Sequence, residues 1–281
     1  MTAVQSLRVL RRRELRFRAP SLRFPVFLGR LSYFLVVELV LRRKYLSQVM
    51  RHVSDLTMGV GAVVLGSGMV FVMFFLSMAT GAEVGLQGFP GLQRLGIESF
   101  TGLVVSFSSV REVSPVIAGV ALVAQVGSAF TAEIGAMRIS EEIDALDVMG
   151  INSLAYLVCT RIAAVLLTLI PLYLIGLYGT FFAAKFITTQ FFGLSSGIYD
   201  YYFHLFLPTR DIVYSVVKVA VFSVVVMVIH SYRGFFASGG PVGVGQATGR
   251  AIRESMVAIV MINLALSFIF WGDGGTVRLT G

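Results

Sequence analysis

Five long apolar stretches constrain this chain more than any other feature of its sequence. They comprise residues 56–82, 113–132, 162–184, 212–229 and 255–272. The fourth stretch includes Lys218. A helix needs about 20 apolar residues to cross the hydrocarbon core of a bilayer, and each stretch meets or approaches that length. Only 14% of the residues are charged, compared with about 25% in soluble domains. The sequence therefore predicts an all-α, polytopic membrane protein with five transmembrane helices.

The basic N-terminal region sets the predicted orientation. Twelve of the 23 Lys and Arg residues lie within residues 1–51, against two acidic residues. The positive-inside rule places this end in the cytoplasm, and five spans then place the C-terminus outside. An arginine-rich arm can bind nucleic acid. Because this arm precedes five membrane spans, however, we expect its anionic partner to be the lipid headgroups. Residues 24–41, interrupted by Arg30 and Glu38, predict an amphipathic interfacial helix instead of a cleaved signal peptide.

The segments between the spans give weaker signals. Phe89-Pro90-Gly91 predicts a turn. Residues 99–110 are too few to span, and whether they lie flat outside or extend the second span stays open. The aromatic residues within 194–207 indicate an interfacial belt. Residues 239–250, GGPVGVGQATGR, predict a close-packed cytoplasmic loop, because no strand precedes them to form a dinucleotide-binding unit.

Motifs for nucleotide or metal chemistry are scarce. The sequence contains no G-x-x-x-x-G-K-[ST] loop, so any ATP dependence must come from a partner. Asp144 and Asp147 form a D-x-x-D pair that resembles lipid-synthesising transferases. Val148 stands where their motif has glycine, however, and no second pair follows. This pattern argues against an enzyme.

The histidines and the single cysteine predict structural roles. His52, His204 and His230 are widely spaced and lack Cys, Asp or Glu partners at ligand spacing. We therefore expect them to pack or to form hydrogen bonds at the ends of the spans. Cys159 stands alone and predicts a small buried side chain.

Residues 140–150 predict a short amphipathic helix. Ser140 suits the N-cap, Glu141 and Glu142 complement the helix N-terminus, and Gly150 is a natural stop. The apolar residues recur at helical spacing, while the acidic ones project largely elsewhere. The apolar set is Ile139, Ile143, Leu146 and Met149, and the acidic set is Glu141, Glu142, Asp144 and Asp147. From this pattern alone, a docking helix and an ordinary surface helix against the bilayer both remain open.

One long motif identifies a family. Residues 111–151, REVSPVIAGVALVAQVGSAFTAEIGAMRISEEIDALDVMGI, closely resemble the signature of the MlaE/YrbE permease family, as do residues 239–252, GGPVGVGQATGRAI. The resemblance runs from about residue 26 to 271. The basic extension and the ending GDGGTVRLTG look most like YrbE subunits of actinobacterial Mce systems. The resemblance implies a basic extension at 1–23, an interfacial helix at 24–52, an MlaE-type permease domain at 53–272 and a tail at 273–281.

The resemblance also implies a function. A protein of this family is a permease subunit of an MCE-type ABC transporter, moving fatty or mycolic acids, sterol or phospholipid across or out of the inner membrane. It is not an enzyme and holds no cofactor, because ATP and Mg²⁺ are bound by a separate MlaF-like ATPase. Its other expected partners are a second YrbE-type permease, giving a heterodimer, MCE-domain proteins and membrane lipids, with no nucleic acid.

Two alternatives remain open beside lipid transport. The chain can be a scaffold subunit that recruits MCE proteins while a paralogue lines the lipid path. A secondary transporter is less favoured, because the ionisable groups near the membrane are limited to Glu112, Glu133 and Lys218, and we expect no relay to connect them.

The resemblance assigns candidate site residues. A cytoplasmic coupling helix between the second and third spans maps onto 141–149, with Glu141, Glu142, Ile143, Asp144, Leu146, Asp147 and Met149 as the ATPase-coupling set. The candidate lipid path comprises Arg111, Glu112, Met69, Phe71 and Met73. Arg111 and Glu112 occur at the outer end of the second predicted span, where charges are costly in hydrocarbon. A structural ion pair and a lining for lipid headgroups are both open for them.

Overall fold

The computed structural model describes residues 23–35, 45–58 and 69–272, and these ranges are helical with no strand. We number the helices in chain order. They are α1 (Arg23–Phe34), α2 (Leu46–Met58), α3 (Met69–Gln93), α4 (Glu98–Ile139), α5 (Glu142–Val148), α6 (Leu154–Phe191), α7 (Ser196–Leu205), α8 (Thr209–Phe235) and α9 (Gly240–Trp271). The prediction of an all-α polytopic protein is confirmed.

Five of these helices are long and apolar enough to cross a membrane. They are α3, α4, α6, α8 and α9, with 25, 42, 38, 27 and 32 residues. Of the first predicted span, 56–82, residues 69–82 lie in α3, which continues to Gln93, while residues 59–68 lie outside the described ranges. The predicted turn at Phe89-Pro90-Gly91 is wrong, because these residues form the end of α3. Phe89 is buried there and stacks on Phe192 at 4.7 Å.

Two connecting segments are helical extensions of spans. Residues 99–110 extend the second span, so that α4 includes them, and α7 packs closely against this extension. The loop predicted at 239–250 is wrong: only residues 236–239 separate α8 from α9, and Pro241 lies in the first turn of α9. A Cβ added to Gly243 would lie 1.8 Å from the Ser238 carbonyl oxygen. Glycine is thus required by close packing at the start of a helix, not by a loop.

The N-terminal helices pack onto the membrane helices. Of the predicted interfacial helix over 24–41, the described part is helical to Phe34. The rest of that prediction, including Glu38, falls in residues 36–44, which lie outside the described ranges, as do residues 1–22 and 273–281. Phe27 is fully buried in α1, with its ring 5.4 Å from that of Tyr232 in α8. Val49 of α2 packs with Ala164 of α6. The predicted boundary between residues 52 and 53 falls inside α2.

Helices α3 and α6 form the most extensive packing between two helices. Both present small side chains at four-residue spacing, which lets the two backbones approach closely. These residues are Ser77, Gly81 and Gly85 on α3, and Gly176, Thr180 and Ala184 on α6. A Cβ added to Gly81 would lie 2.1 Å from the Thr180 carbonyl oxygen. Thr180 Oγ1 donates a hydrogen bond to the Ser77 carbonyl oxygen at 3.1 Å.

We expect Gly81→Val to destabilise the protein strongly, because α3 and α6 must separate to admit the side chain. Overpacking of this kind costs about 1–3 kcal/mol, or more where backbone is the obstacle. The matched control is Gly88→Val on the same helix, where an added Cβ meets nothing within 4 Å. Thermal unfolding of both variants in detergent is the measurement. Equal unfolding temperatures for the two variants would refute the packing assigned to α3 and α6.

Candidate functional site

Helix α5 follows α4 through a tight two-residue connection. Ser140 Oγ lies 3.0 Å from the Ala136 carbonyl oxygen and 2.9 Å from Glu142 Oε1, and its single hydroxyl proton can be donated to either. Ser140 therefore closes the end of α4, and the predicted N-cap role is wrong, because Glu141 occupies that position. Glu141 has φ +61° and, within the described ranges, is alone among non-glycine residues in having positive φ. Gly150, at φ +76°, follows the end of α5, as predicted.

The middle of the apolar stripe of α5 faces the chain's own core, whereas Ile139 and Met149 at its two ends are exposed. Ile143 is 0% exposed, and Leu146 is half-buried against the same core. A short helix lying on a protein turns its apolar stripe inward, so the pattern that predicted a docking face marks the packed face. Val148 and Met149 are instead 89% and 66% exposed. Val148 lies off the predicted stripe, and no sequence signal selected it.

The acidic residues of α5 divide into two groups. Asp144 Oδ1 accepts a hydrogen bond from Arg138 Nη1 at 2.7 Å, and Asp147 Oδ1 accepts one from the Ser153 amide at 3.2 Å. These two aspartates fix α5 to its flanking segments, which removes the geometry of a free D-x-x-D metal pair. Glu141 and Glu142 are exposed and project from the start of the helix.

A second set of polar residues joins α4, α8 and α9, and we call it the charged cluster. It consists of Arg111, Glu112, Asp211, Lys218, Asn263, Ser267 and Trp271. Residues Ser109–Val113 form a π-helical segment inside α4. Such segments change the direction of successive side chains and recur at functional sites. Here Arg111 and Glu112 do not pair with each other, and each contacts a different residue of α8.

Arg111 and Asp211 form a buried ion pair. Arg111 Nη2 and Nε lie 2.7 and 2.8 Å from Asp211 Oδ2, and both side chains are almost fully buried. The guanidinium also lies 3.4 Å from the centroid of the Phe107 ring. Trp271 Nε1 donates to Asp211 Oδ1 at 3.1 Å. The ion pair connects α4 with the start of α8, and the Trp271 hydrogen bond adds the end of α9.

Glu112 and Lys218 form the second part of the cluster. Lys218 is 0% exposed, and its Nζ lies 3.4 Å from Glu112 Oε1 and 2.6 Å from Ser267 Oγ. Asn263 Nδ2 donates to Glu112 Oε2 at 2.5 Å. Two of the three ionisable groups expected to be unconnected, Glu112 and Lys218, are therefore in contact. The Glu112 side chain remains 47% exposed, so it presents a carboxylate at the surface of the helix bundle.

The apolar residues predicted for a lipid path do not share one surface. Met69 and Met73 are buried in the core, while Phe71 is exposed and stacks on Phe75 at 6.1 Å. Residues two apart on a helix point in different directions. The structure therefore separates Phe71 from the two methionines. Sequence analysis missed Asp211, Asn263, Ser267 and Trp271, although a lysine within an apolar span signals that partners must exist.

Glu133, the remaining ionisable residue considered above, pairs with Arg161. Arg161 is 2% exposed and its guanidinium lies 5.0 Å from the centroid of the Phe130 ring. The His52 ring of α2 contacts the same phenylalanine at 6.4 Å. Burial, and to a lesser degree the charge of Arg161, lower the pKa of His52. The contact with Phe130 attaches α2 to the bundle.

The other histidines and the cysteine have structural contacts. His230 is fully buried, with Nδ1 2.7 Å from Thr131 Oγ1. His204 Nδ1 lies 2.9 Å from the Asp200 carbonyl oxygen. Cys159 is buried, as predicted. Within the described ranges, no group of three or more His, Cys, Asp or Glu residues is placed to hold a metal ion.

Comparisons with known proteins agree with this architecture. The family described as Permease MlaE matches residues 60–269. A probable ABC transporter permease protein of Rickettsia bellii is 31% identical over 200 residues, covering 71% of this chain and 77% of that protein. A probable ABC transporter permease protein of Synechocystis is 34% identical over 182 residues, covering 64% and 69% of the two chains.

A plant protein is also similar. The chloroplastic protein TRIGALACTOSYLDIACYLGLYCEROL 1 of Arabidopsis thaliana is 32% identical over 208 residues, covering 74% of this chain and 59% of the plant protein. The chain therefore belongs to the MlaE family of ABC transporter permeases. Such a permease is a multi-pass membrane subunit and not itself an enzyme, and it implies an ATPase partner.

Proposed function

We propose that this member of the MlaE family moves lipid, and that a separate MlaF-like ATPase drives it by binding α5. The observation that carries the proposal is the short connection between α4 and α5. Helix α4 holds Glu112 in its first half and joins α5 at its end, and the 27 steps from Glu112 to Ile139 correspond to about 40 Å at 1.5 Å per residue. A displacement of α5 is thereby transmitted along one helix to the charged cluster.

The conformation of Glu141 supports a docking role for α5. A non-glycine residue in the left-handed region costs about 1–2 kcal/mol, and strain of this kind is concentrated at functional sites. The exposed Val148 and Met149 provide an apolar contact, and the exposed Glu141 and Glu142 provide charges for basic residues on the ATPase. In this proposal ATP and Mg²⁺ are bound by that partner.

The surroundings of Glu112 support a lipid path. The Glu112 carboxylate is paired with Lys218, but its side chain is 47% exposed, and because exposed charge is unfavourable in hydrocarbon this face suits water or a polar group. Next to its partner Asn263, α9 exposes Met261, Leu264 and Phe268. A charged group beside an apolar stripe suits an amphiphile: a phospholipid, a fatty or mycolic acid, or a sterol. The name of the plant relative is that of a glycolipid.

The proposed assembly follows from the same surface. A second YrbE-type permease supplies the opposite wall of the path, in a heterodimer, and MCE-domain proteins exchange lipid outside, as in a Mce system. The N-terminus and α5 lie in the cytoplasm, the C-terminus lies outside, and the membrane is the inner (plasma) membrane. The charged cluster is then at the outer end of the path.

A crosslinking experiment tests the path. We expect a photo-reactive residue at position 264 to capture lipid in a manner that changes when ATP is hydrolysed by the added ATPase. At Tyr178, which is 70% exposed on α6, capture of bilayer lipid should not depend on ATP. The isolated chain should show no ATP hydrolysis of its own. Capture of MCE proteins alone from position 264, without lipid, would favour the scaffold function instead.

A further inference from the structure

A cavity of about 530 Å³ lies along the first turns of α9. It is lined by Val242, Gly245, Gln246, Gly249, Arg250 and Arg253. Their spacing of three and four residues places them on one face of the helix. A Cβ added to Gly249 would meet only Arg253 Nη1, at 3.7 Å, so the guanidinium extends over the glycine. This face is polar, basic and open.

The two arginines of this cavity have no carboxylate partner among the described residues. The neighbouring carboxylate, Glu254, is held by Arg233, whose Nε lies 2.8 Å from Glu254 Oε2. By contrast, the buried Arg111 and Arg161 are each paired with an acidic residue. Two adjacent guanidinium groups without carboxylates favour an external anion, and their planar donors match the oxygens of a phosphate.

The same face of α9 continues as an apolar stripe. The residues of this stripe nearest the arginines, Val257 and Val260, are 64% and 61% exposed. Arg253 and Val257 are separated by about one helical turn, so the basic end adjoins the part of α9 that lies in hydrocarbon. A free anion would use the arginines and leave the stripe uncovered. A phospholipid matches both parts, because its phosphate meets the arginines and its acyl chains meet the apolar residues.

We propose that Arg250 and Arg253 bind the phosphate of an anionic phospholipid, whose acyl chains lie along Val257 and Val260. In the proposed orientation this lipid belongs to the cytoplasmic leaflet. The inference goes beyond the proposed function, because the site is distinct from the charged cluster and the bound lipid need not be the one that is transported.

The test uses the full chain in nanodiscs that contain phosphatidylglycerol and phosphatidylcholine in equal amounts. Native mass spectrometry of the released protein should show preferential retention of phosphatidylglycerol. Arg250→Gln with Arg253→Gln should reduce that preference by about tenfold or more, since charge-assisted hydrogen bonds are lost. Arg94→Gln, which removes an exposed arginine following α3, should retain it. Arg250→Lys with Arg253→Lys keeps the charge and should retain part of the preference, which separates loss of binding from misfolding.

Three results would overturn the inference. The first is unchanged retention of phosphatidylglycerol by the glutamine variant. The second is displacement of the lipid by inorganic phosphate at millimolar concentration, which would indicate a site for a free anion. The third is loss of the ATPase partner with lipid retention unchanged, which would indicate a protein contact. The readout requires neither ATP nor transport, so its failure is distinguishable from failure of the proposed function.

Discussion

Replacing Val148 and Met149 together by arginine is expected to abolish co-purification of the ATPase while leaving the chain in the membrane. Both side chains are exposed at the end of α5, so the substitutions do not disturb the core. Exposed apolar residues that become buried on binding each contribute more than about 1 kcal/mol where they act as anchors. Introduced charges would add the cost of burying an unpaired cation. Pull-down from detergent extracts, with membrane levels measured in parallel, gives the result.

Two further variants complete this test. Leu95→Arg places the same charge at an apolar residue that is 72% exposed near the end of α3, and ATPase binding should be normal. Glu141→Gln should weaken binding less, and its effect should shrink at high salt, because exposed charges contribute about 0–1 kcal/mol and are screened. If the Val148 and Met149 double variant binds the ATPase normally, α5 is not the docking element.

The second large effect is expected at the buried ion pair of the charged cluster. Asp211→Asn leaves the Arg111 guanidinium buried without its counter-charge. Breaking one partner of a buried pair costs about 3–5 kcal/mol. The matched control is Asp200→Asn, which removes a carboxylate 2.7 Å from Lys185 Nζ in a pair whose side chains are about 40% exposed. That control should cost about 0–1 kcal/mol. Thermal unfolding in detergent compares the two.

A double substitution separates stability from function at the same pair. Arg111→Met with Asp211→Leu removes both charges, and apolar replacement of a buried pair is often neutral or stabilising. We expect stability to return toward that of the wild type while lipid transport stays impaired. If Asp211→Asn unfolds at the same temperature as Asp200→Asn, the pair does not stabilise the bundle. If the variant with Arg111→Met and Asp211→Leu transports lipid normally, the charges of Arg111 and Asp211 are not needed for lipid transport.

The spans could be predicted from sequence because a bilayer imposes a minimum apolar length. The ends of the spans could not be predicted from sequence, since tertiary packing extends the helices. Residues 239–250 show the reason: their glycines resemble a loop, but at Gly243 the missing Cβ admits a carbonyl oxygen. Likewise, Pro90 and its neighbours indicate a turn, but Phe89 packs on Phe192 and the helix continues through them.

The site was predictable only in part. The acidic segment after the second span identified α5, but its apolar stripe is used for packing, so the exposed Val148 was missed. Arg111 and Asp211 are 100 residues apart, and one sequence contains no signal that joins them. Lys218 was a clue that the sequence analysis did not use, because a lysine inside an apolar span requires a partner. Its position indicates that a polar partner exists but not which helices supply it.

Lipid transfer in proteoliposomes tests the central claim most directly. The wild-type chain is reconstituted with the ATPase and with the proposed permease partner and MCE-domain protein, and movement of labelled lipid is followed with and without ATP. We predict ATP-dependent transfer for the wild type and none for the Val148 and Met149 double arginine variant. Wild-type transfer that proceeds equally without ATP, or transfer by the double variant at the wild-type rate, would contradict an ATPase-driven permease coupled through α5.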